Sequence, residues 1–460
     1  MFPFFLLTCL TTALHPQAAG RLANGADSSL FYWLTPARNG NASAPLLVWL
    51  NGGPGSSSMM GLFMELGPYT LLADGSGLGP PRAASWNAEF NVVFVDQPAG
   101  TGFSVATSDA GYVNNQSEVG TSFVAFLLAF YEAHPELTAN ELWLTGESYA
   151  GKYIPAIANA ILAGGDATSG INFQGVAIGN GLTRPREMTL SVAASFFAVG
   201  VIDGAQRDAA QALALAAVAH IDAANWTAAT AARSTLFDYL EQCNGKDSFP
   251  NVGASLAYSC SRLLACRSCS PLLTLLTSLL SLSLSLSTAD NFEVYGEYNE
   301  SAMARFLNTA STKAALHLPS DAVWSQHSDE VHAHLAEDIM KDYSHLIPPL
   351  LDAGLRVLLY TGQLDLRDGI AALAGWLPEM KGWSALPKWF AAPRTTWISP
   401  IGAVAPNDRK QPRVAGYYRS CANLTHMTVG GAGHLVPMDQ PDAAQDMIVR
   451  FVKGQLPVQC

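Results

Sequence analysis

The sequence predicts an α/β protein: a mainly parallel central sheet flanked by helices, carrying an inserted helical cap. Three observations predict it. Short apolar runs rich in β-branched or aromatic residues recur along the chain. Segments with helical spacing lie between them. The alternation lapses between about Thr183 and Leu316 and resumes near Arg356. Strands alternating with helices give a parallel sheet covered on both faces. Strands are needed from both sides of the gap, which makes the gap an insertion.

The predicted strands are "LLVWL" (46–50), "NVVFV" (91–95), "ELWLT" (141–145), "GVAIG" (175–179), "RVLLY" (356–360) and "LTHMTV" (424–429). Val119–Tyr131 and Tyr149–Leu162 read as helices between them. In such sheets ligands bind at the carboxyl ends of the strands. The expected domains are a core in two parts, residues 20–183 and 317–460, around a cap at 184–316. The cap is alanine-rich ("DAAQALALAAVAH") and contains a Leu/Ser tract at 270–287. The second half of that tract alternates strictly, as a strand edge does. Its many serines argue against a membrane span.

The chain has 460 residues, 49% of them apolar, which is enough for a large core. Its formal charge of −12 repels nucleic acid and anionic membranes, so neither is an expected partner. The N-terminus has an apolar stretch, Phe4 to Leu14, followed by small residues at Ala18–Gly20. That pattern predicts a cleaved secretory signal over residues 1–19, although the usual basic start is missing. Pro16 breaks the stretch and it is short for an anchor, so no stable membrane insertion is expected. Sequons at Asn41, Asn115, Asn225, Asn299 and Asn423 agree with export. So do six cysteines beyond Cys9: Cys243, Cys260, Cys266, Cys269, Cys421 and Cys460, with their disulfide pairing open. Cys266-x-x-Cys269 has no second pair of metal-ligand spacing nearby, so neither metal nor cofactor is expected.

"LTGESYAG" (144–151) places Ser148 between a strand and a helix. A serine on such a turn is a nucleophile when small residues stand two before and two after it; here these are Gly146 and Ala150. A bare turn fits the same letters. The hydroxyl needs a histidine to take its proton and an acid to orient that histidine, in the order serine, acid, histidine. Asp365 follows the strand "RVLLY", with Asp368 a competing acid one turn on. His434 follows "LTHMTV" in a glycine-rich loop. "NGGPGSSS" (51–58) follows "LLVWL", and its glycines let backbone amides approach a substrate. The expected oxyanion donors are the amides of Gly53 and Tyr149.

"WLNGGPGSSS", "ELGPY", "NVVFVDQPAGTGFSVA", "GESYAGKYIP", "IGNGLT", "YTGQLD" and "GAGHLVPMDQP" together resemble the serine carboxypeptidase family, peptidase family S10. The likeness runs in order from about Gly20 to Val452 and fails only in the cap. "YTGQLD", preceded by "HSDEVHAHLAEDIM", looks most like the vitellogenic-like and retinoid-inducible branch. The resemblance implies an α/β-hydrolase that releases single residues from peptide C-termini, in the secretory pathway, whether outside the cell or in a vacuole or lysosome. It implies that Trp49, Asn51, Glu65 and Glu147 grip the substrate carboxylate. Two close, partly buried carboxyls cannot both ionise readily, and a protonated one can donate to a carboxylate, so activity is expected to favour acid. Ser56 stands where many members have cysteine, and "LDLRDG" is more polar than usual. Two other readings stay open: an acyltransferase using sugar-ester donors, and a catalytically silent binding protein.

Overall fold

The computed structural model describes residues 18–243, 300–399 and 413–460. The predicted cleavable leader, apart from Ala18 and Ala19, and the Leu/Ser tract lie outside these residues, as do Cys260, Cys266, Cys269 and Asn299.

The strands are β1 (Ala18–Ala23), β2 (Ser28–Thr35), β3 (Leu46–Leu50), β4 (Tyr69–Leu71), β5 (Leu78–Pro81), β6 (Asn91–Asp96), β7 (Val105–Ala106), β8 (Leu142–Glu147), β9 (Phe173–Gly179), β10 (Arg356–Gly362), β11 (Thr395–Ser399), β12 (Arg413–Cys421) and β13 (Leu424–Val429). Eleven of them form one sheet in the order β1-β2-β6-β3-β8-β9-β10-β13-β12-β11, with β7 beside β2; β4 and β5 pair separately. The run from β6 to β13 is parallel throughout, and it consists of the six strands expected from sequence. The antiparallel flanks β1-β2 and β12-β11 were not read from the sequence. The expected fold is thus borne out in its parallel centre and extended at both edges.

Burial follows from period-2 alternation in strands covered on both sides. Along β3, Leu46, Val48 and Leu50 join the core on one face of the sheet. Leu47 and Trp49 join the core on the other. The first face is covered by α1 (Gln116–Ala133) and α2 (Ala150–Ala163), which supply Phe123, Phe126, Ile154 and Ile157. The expected helices 119–131 and 149–162 lie within a residue of these or inside them. A helix at Pro441–Val452 covers the second face with Met447, Ile448 and Phe451.

Between β9 and β10 the chain leaves the sheet. Helices α3 (Pro185–Ala198), α4 (Gly204–Asp222) and α5 (Trp226–Cys243) follow one another there. They bury Val192, Phe196, Ala210, Ala214, Leu236 and Phe237 together, and Leu366 of the core packs with them. Arg233 of α5 reaches Asp368 at 3.2 Å. Cys421 and Cys460 form a disulfide that ties β12 to the C-terminus. Among the described residues, no helix is long and apolar enough to cross a membrane.

Candidate active site

Ser148 stands at the carboxyl end of β8 with φ of 61°, in the left-handed region. For a non-glycine residue this costs roughly 1–2 kcal/mol. The bend is held by neighbours: Ser148 N donates to Gly179 O at 3.0 Å, and its carbonyl accepts from Gly151 N and Leu182 N at 2.9 Å each. The small residues expected around the serine are needed. A Cβ on Gly146 would sit 2.2 Å from Leu50 O and 3.1 Å from the Ala150 Cβ. Ser148 is half-buried, so a substrate can reach it.

Of the two candidate acids, Asp365 meets the histidine. Its Oδ2 lies 2.9 Å from His434 Nδ1, with both residues buried. Its Oδ1 accepts from the amides of Arg367 at 2.8 Å and Asp368 at 3.1 Å, which fixes the carboxylate in the loop after β10. Asp368 is buried as well, but it faces Arg233. Burial pushes its carboxyl above the usual range, with Arg233 opposing the shift.

The 51–58 loop lies against the serine turn. A Cβ on Gly52 would come within 2.4 Å of Tyr149 N, so only glycine allows this approach. Gly53, next in the loop, is exposed. Asp96, at the end of β6, secures the loop by accepting from Ser57 Oγ at 2.6 Å and Ser58 N at 2.9 Å. Burial raises Asp96 to about 6 in spite of these donors.

Asn51 joins the four residues expected at the substrate carboxylate. Its Nδ2 donates to Glu65 Oε1 and to Glu147 Oε1, each at 3.0 Å. Its Oδ1 accepts from Trp49 Nε1 at 2.8 Å and Gly61 N at 3.1 Å. The amide is therefore oriented, and each of its two N–H bonds points at one carboxyl. Glu65 closes a widened helical turn in which Leu66 N reaches back to Gly61 O at 2.9 Å. Glu65 and Glu147 are fully buried. Burial raises Glu65 to about 7, with the Asn51 bond opposing. Burial, then the charge of Glu65, pushes Glu147 well above the carboxylate range. Glu147 immediately precedes Ser148, so this acid pair and the serine turn are contiguous.

A family model described as serine carboxypeptidase matches residues 12–454. The chain belongs to the serine carboxypeptidase family. It is a serine-type carboxypeptidase, a hydrolase. It is 31% identical to the "Probable serine carboxypeptidase CPVL" of Dictyostelium discoideum, over 93% of this chain and 76% of that protein. It is 33% identical to "Serine carboxypeptidase-like 50" of Arabidopsis thaliana, over 93% of this chain and 85% of that one. Among solved structures, the prohormone-processing carboxypeptidase Kex1Δp of Saccharomyces cerevisiae superimposes with a TM-score of 0.76. The two are 24% identical, and the match covers 95% of this chain and 91% of that one; this likeness speaks for the fold. The expected kinship with the vitellogenic-like branch is borne out by the Dictyostelium relative.

This member of the family has features that motif reading missed. Asn180, of "IGNGLT", is fully buried with φ of 41°. Its Nδ2 donates to the carbonyls of Gly433 at 3.0 Å and His434 at 2.6 Å, and its Oδ1 accepts from Gly362 N at 2.9 Å. One side chain thereby clamps the histidine loop to the strand that delivers Asp365. The available signal was an asparagine, a residue type that tolerates left-handed backbone, between Gly179 and Gly181. Ser56 Oγ lies 2.9 Å from His327 Nδ1, and a β-bridge joins the same two residues.

Proposed function

We propose that this carboxypeptidase works through an acyl-enzyme on Ser148, best at acid pH. His434 takes the Ser148 proton as the hydroxyl attacks the last peptide carbonyl. The amides of Gly53 and Tyr149 receive the developing oxyanion. His434 returns the proton to the leaving amino acid as the C–N bond breaks, and then activates water to release the acyl group. Asp365 holds the imidazole in the tautomer that leaves Nε2 for this work.

Trp49, Asn51, Glu65 and Glu147 hold the terminal carboxylate of the substrate. The observation that carries this reading is the Asn51 amide shared between two buried carboxyls beside Ser148. A carboxyl raised to about 7 is protonated in acid and can donate to a carboxylate. A peptide with a free C-terminus is therefore the ligand, and an amidated one is a poor substitute.

The segment from residue 184 to residue 316, which opens with α3, α4 and α5, serves as a cap that selects the substrate side chain. The protein matures in the secretory pathway after losing residues 1–19. Asn41 and Asn225 are exposed and support glycan attachment there; Asn423 is exposed too, with its Nδ2 donating to Gly354 O at 3.3 Å. Asn115 binds Glu118 through Nδ2 at 2.7 Å and must release it to be modified. Asn299 completes the proposed set.

A blocked dipeptide acid and an acyl-glucose, each incubated with the protein, test the reading. Turnover of the dipeptide is expected. Turnover of the acyl-glucose alone would make the protein a transferase, and turnover of neither would make it a binding protein.

A further inference from the structure

A buried charge network stands behind the serine turn, and the chemistry above does not use it. Asp338 is fully buried, in the segment that follows a helix at Asp329–His334. Its Oδ2 accepts from Tyr149 Oη at 2.8 Å and from Gln116 Nε2 at 2.6 Å. Its Oδ1 accepts from Tyr343 Oη at 2.5 Å. Lys152, one turn beyond Tyr149 on α2, is fully buried as well. Its ammonium donates to the carbonyls of Asp338 and Lys341 and lies 4.9 Å from the Tyr343 ring. Thus the Asp338 carboxyl and the Lys152 amine share one buried compartment, and the Tyr149 phenol links it to the serine turn.

Tyr149 is the residue whose amide is proposed to bind the oxyanion. Two side-chain torsions and a rigid ring connect that residue's backbone to its phenol. With the phenol held by Asp338 and, at 3.3 Å, by Gln116, the Cα has little freedom. The ring also packs edge-on to Tyr153, with centroids 5.0 Å apart. Burial and the Asp338 charge keep the phenol protonated, so it remains a donor. Displacement of a catalytic group by about 1 Å is enough to cost large factors in rate.

We infer that Asp338 is a positioning residue for catalysis: through the Tyr149 phenol it fixes the amide that stabilises the transition state. The inference rests on the oxyanion role proposed above for Tyr149. It predicts an effect on the transition state and little on substrate binding, because the carboxylate grip lies elsewhere.

Two variants separate positioning from general stability. Tyr149→Phe removes the link, while Tyr343→Phe removes another donor to the same carboxylate without touching the serine turn. kcat and KM are measured for a peptide acid, together with the affinities of a peptide boronic acid and of the free amino acid leaving group. Tyr149→Phe is expected to lower kcat about tenfold, with KM within about twofold, and to weaken the boronate by a similar factor. The free amino acid should bind as before. Tyr343→Phe should lower Tm comparably yet keep kcat within about twofold. Full kcat in Tyr149→Phe, or equal kinetic losses in both variants, would overturn the inference. A wild-type protein without peptidase activity would instead refute the parent function, and this inference with it.

Discussion

The Glu65–Glu147 pair makes a quantitative forecast about pH. If the substrate carboxylate binds to a proton donor with a pKa of about 7, KM for a peptide acid should follow the fraction of that donor still protonated. The factor is one plus ten raised to the difference between pH and pKa. It is close to one at pH 5, about two at pH 7 and about tenfold at pH 8, or roughly 1.4 kcal/mol of binding. The loss should appear in KM and not in kcat, because the carboxylate is held alike in ground and transition states. A peptide amide lacks the charge and should show no such rise. Glu65→Gln combined with Glu147→Gln should flatten the profile for peptide acids, since an amide donates at any pH. The assay is a set of kcat and KM values from pH 4.5 to 8.5 for one peptide acid and its amide, in wild type and double variant. Superimposable KM profiles for acid and amide would refute the reasoning, because the pair would then not read the carboxylate.

Other outcomes follow from the same geometry. Asp365→Asn should lower the rate by about three to four orders of magnitude while leaving Tm close to wild type, because the wrong imidazole tautomer is favoured. Asp368→Asn should cost less than about tenfold, since Asp365 is the acid bonded to His434 Nδ1 while Asp368 is paired with Arg233; the reverse ranking in a kinetic comparison would reassign the acid. Glu65 is raised from 4.5 to about 7 in the fold, so its contribution to stability is fully present below about pH 4.5 and is lost as pH rises through 7. Asp96, raised to about 6, acts in the same direction. Chemical denaturation at pH 5 and pH 8 should therefore show a loss on the order of 3 kcal/mol at the higher pH, smaller in Glu65→Gln. Cys421→Ser with Cys460→Ser opens a loop with a sequence separation of 39 residues and should lower stability by about 4 kcal/mol on the chain-entropy estimate. Equal denaturation midpoints with and without the disulfide would contradict that.

Legibility in the sequence tracked how local each signal was. The six parallel strands were readable because strands buried on both faces are continuous apolar runs, as in "LLVWL" and "NVVFV". The edge strands β11 and β12 escaped because they alternate with exposed positions such as Ile398 and Val414 and carry charge at Arg413 and Arg419. The serine turn was legible because strained backbone demands small neighbours at fixed offsets, and Asp365 and His434 because they follow strands directly. Glu65 was legible only through family likeness. Its own surroundings in sequence, "FMELGP", say nothing of its complete burial. Asn180 and Asp338 were missed for a further reason. The partners of Asn180 lie at separations of 182 to 254 residues, and the links from Asp338 to Tyr149 and Gln116 span 189 and 222, so only the folded chain brings them together.

The central claim is that Ser148 removes residues one at a time from free peptide C-termini. The direct measurement is a mass-spectrometric time course on one peptide acid at acid pH, with wild type and Ser148→Ala in parallel. A fluorophosphonate labelling site is mapped in the same preparation. The account predicts stepwise loss of single C-terminal residues by the wild type, none by Ser148→Ala, and covalent label on Ser148 alone. Internal cleavage, undiminished release by Ser148→Ala, or label on another residue would contradict it.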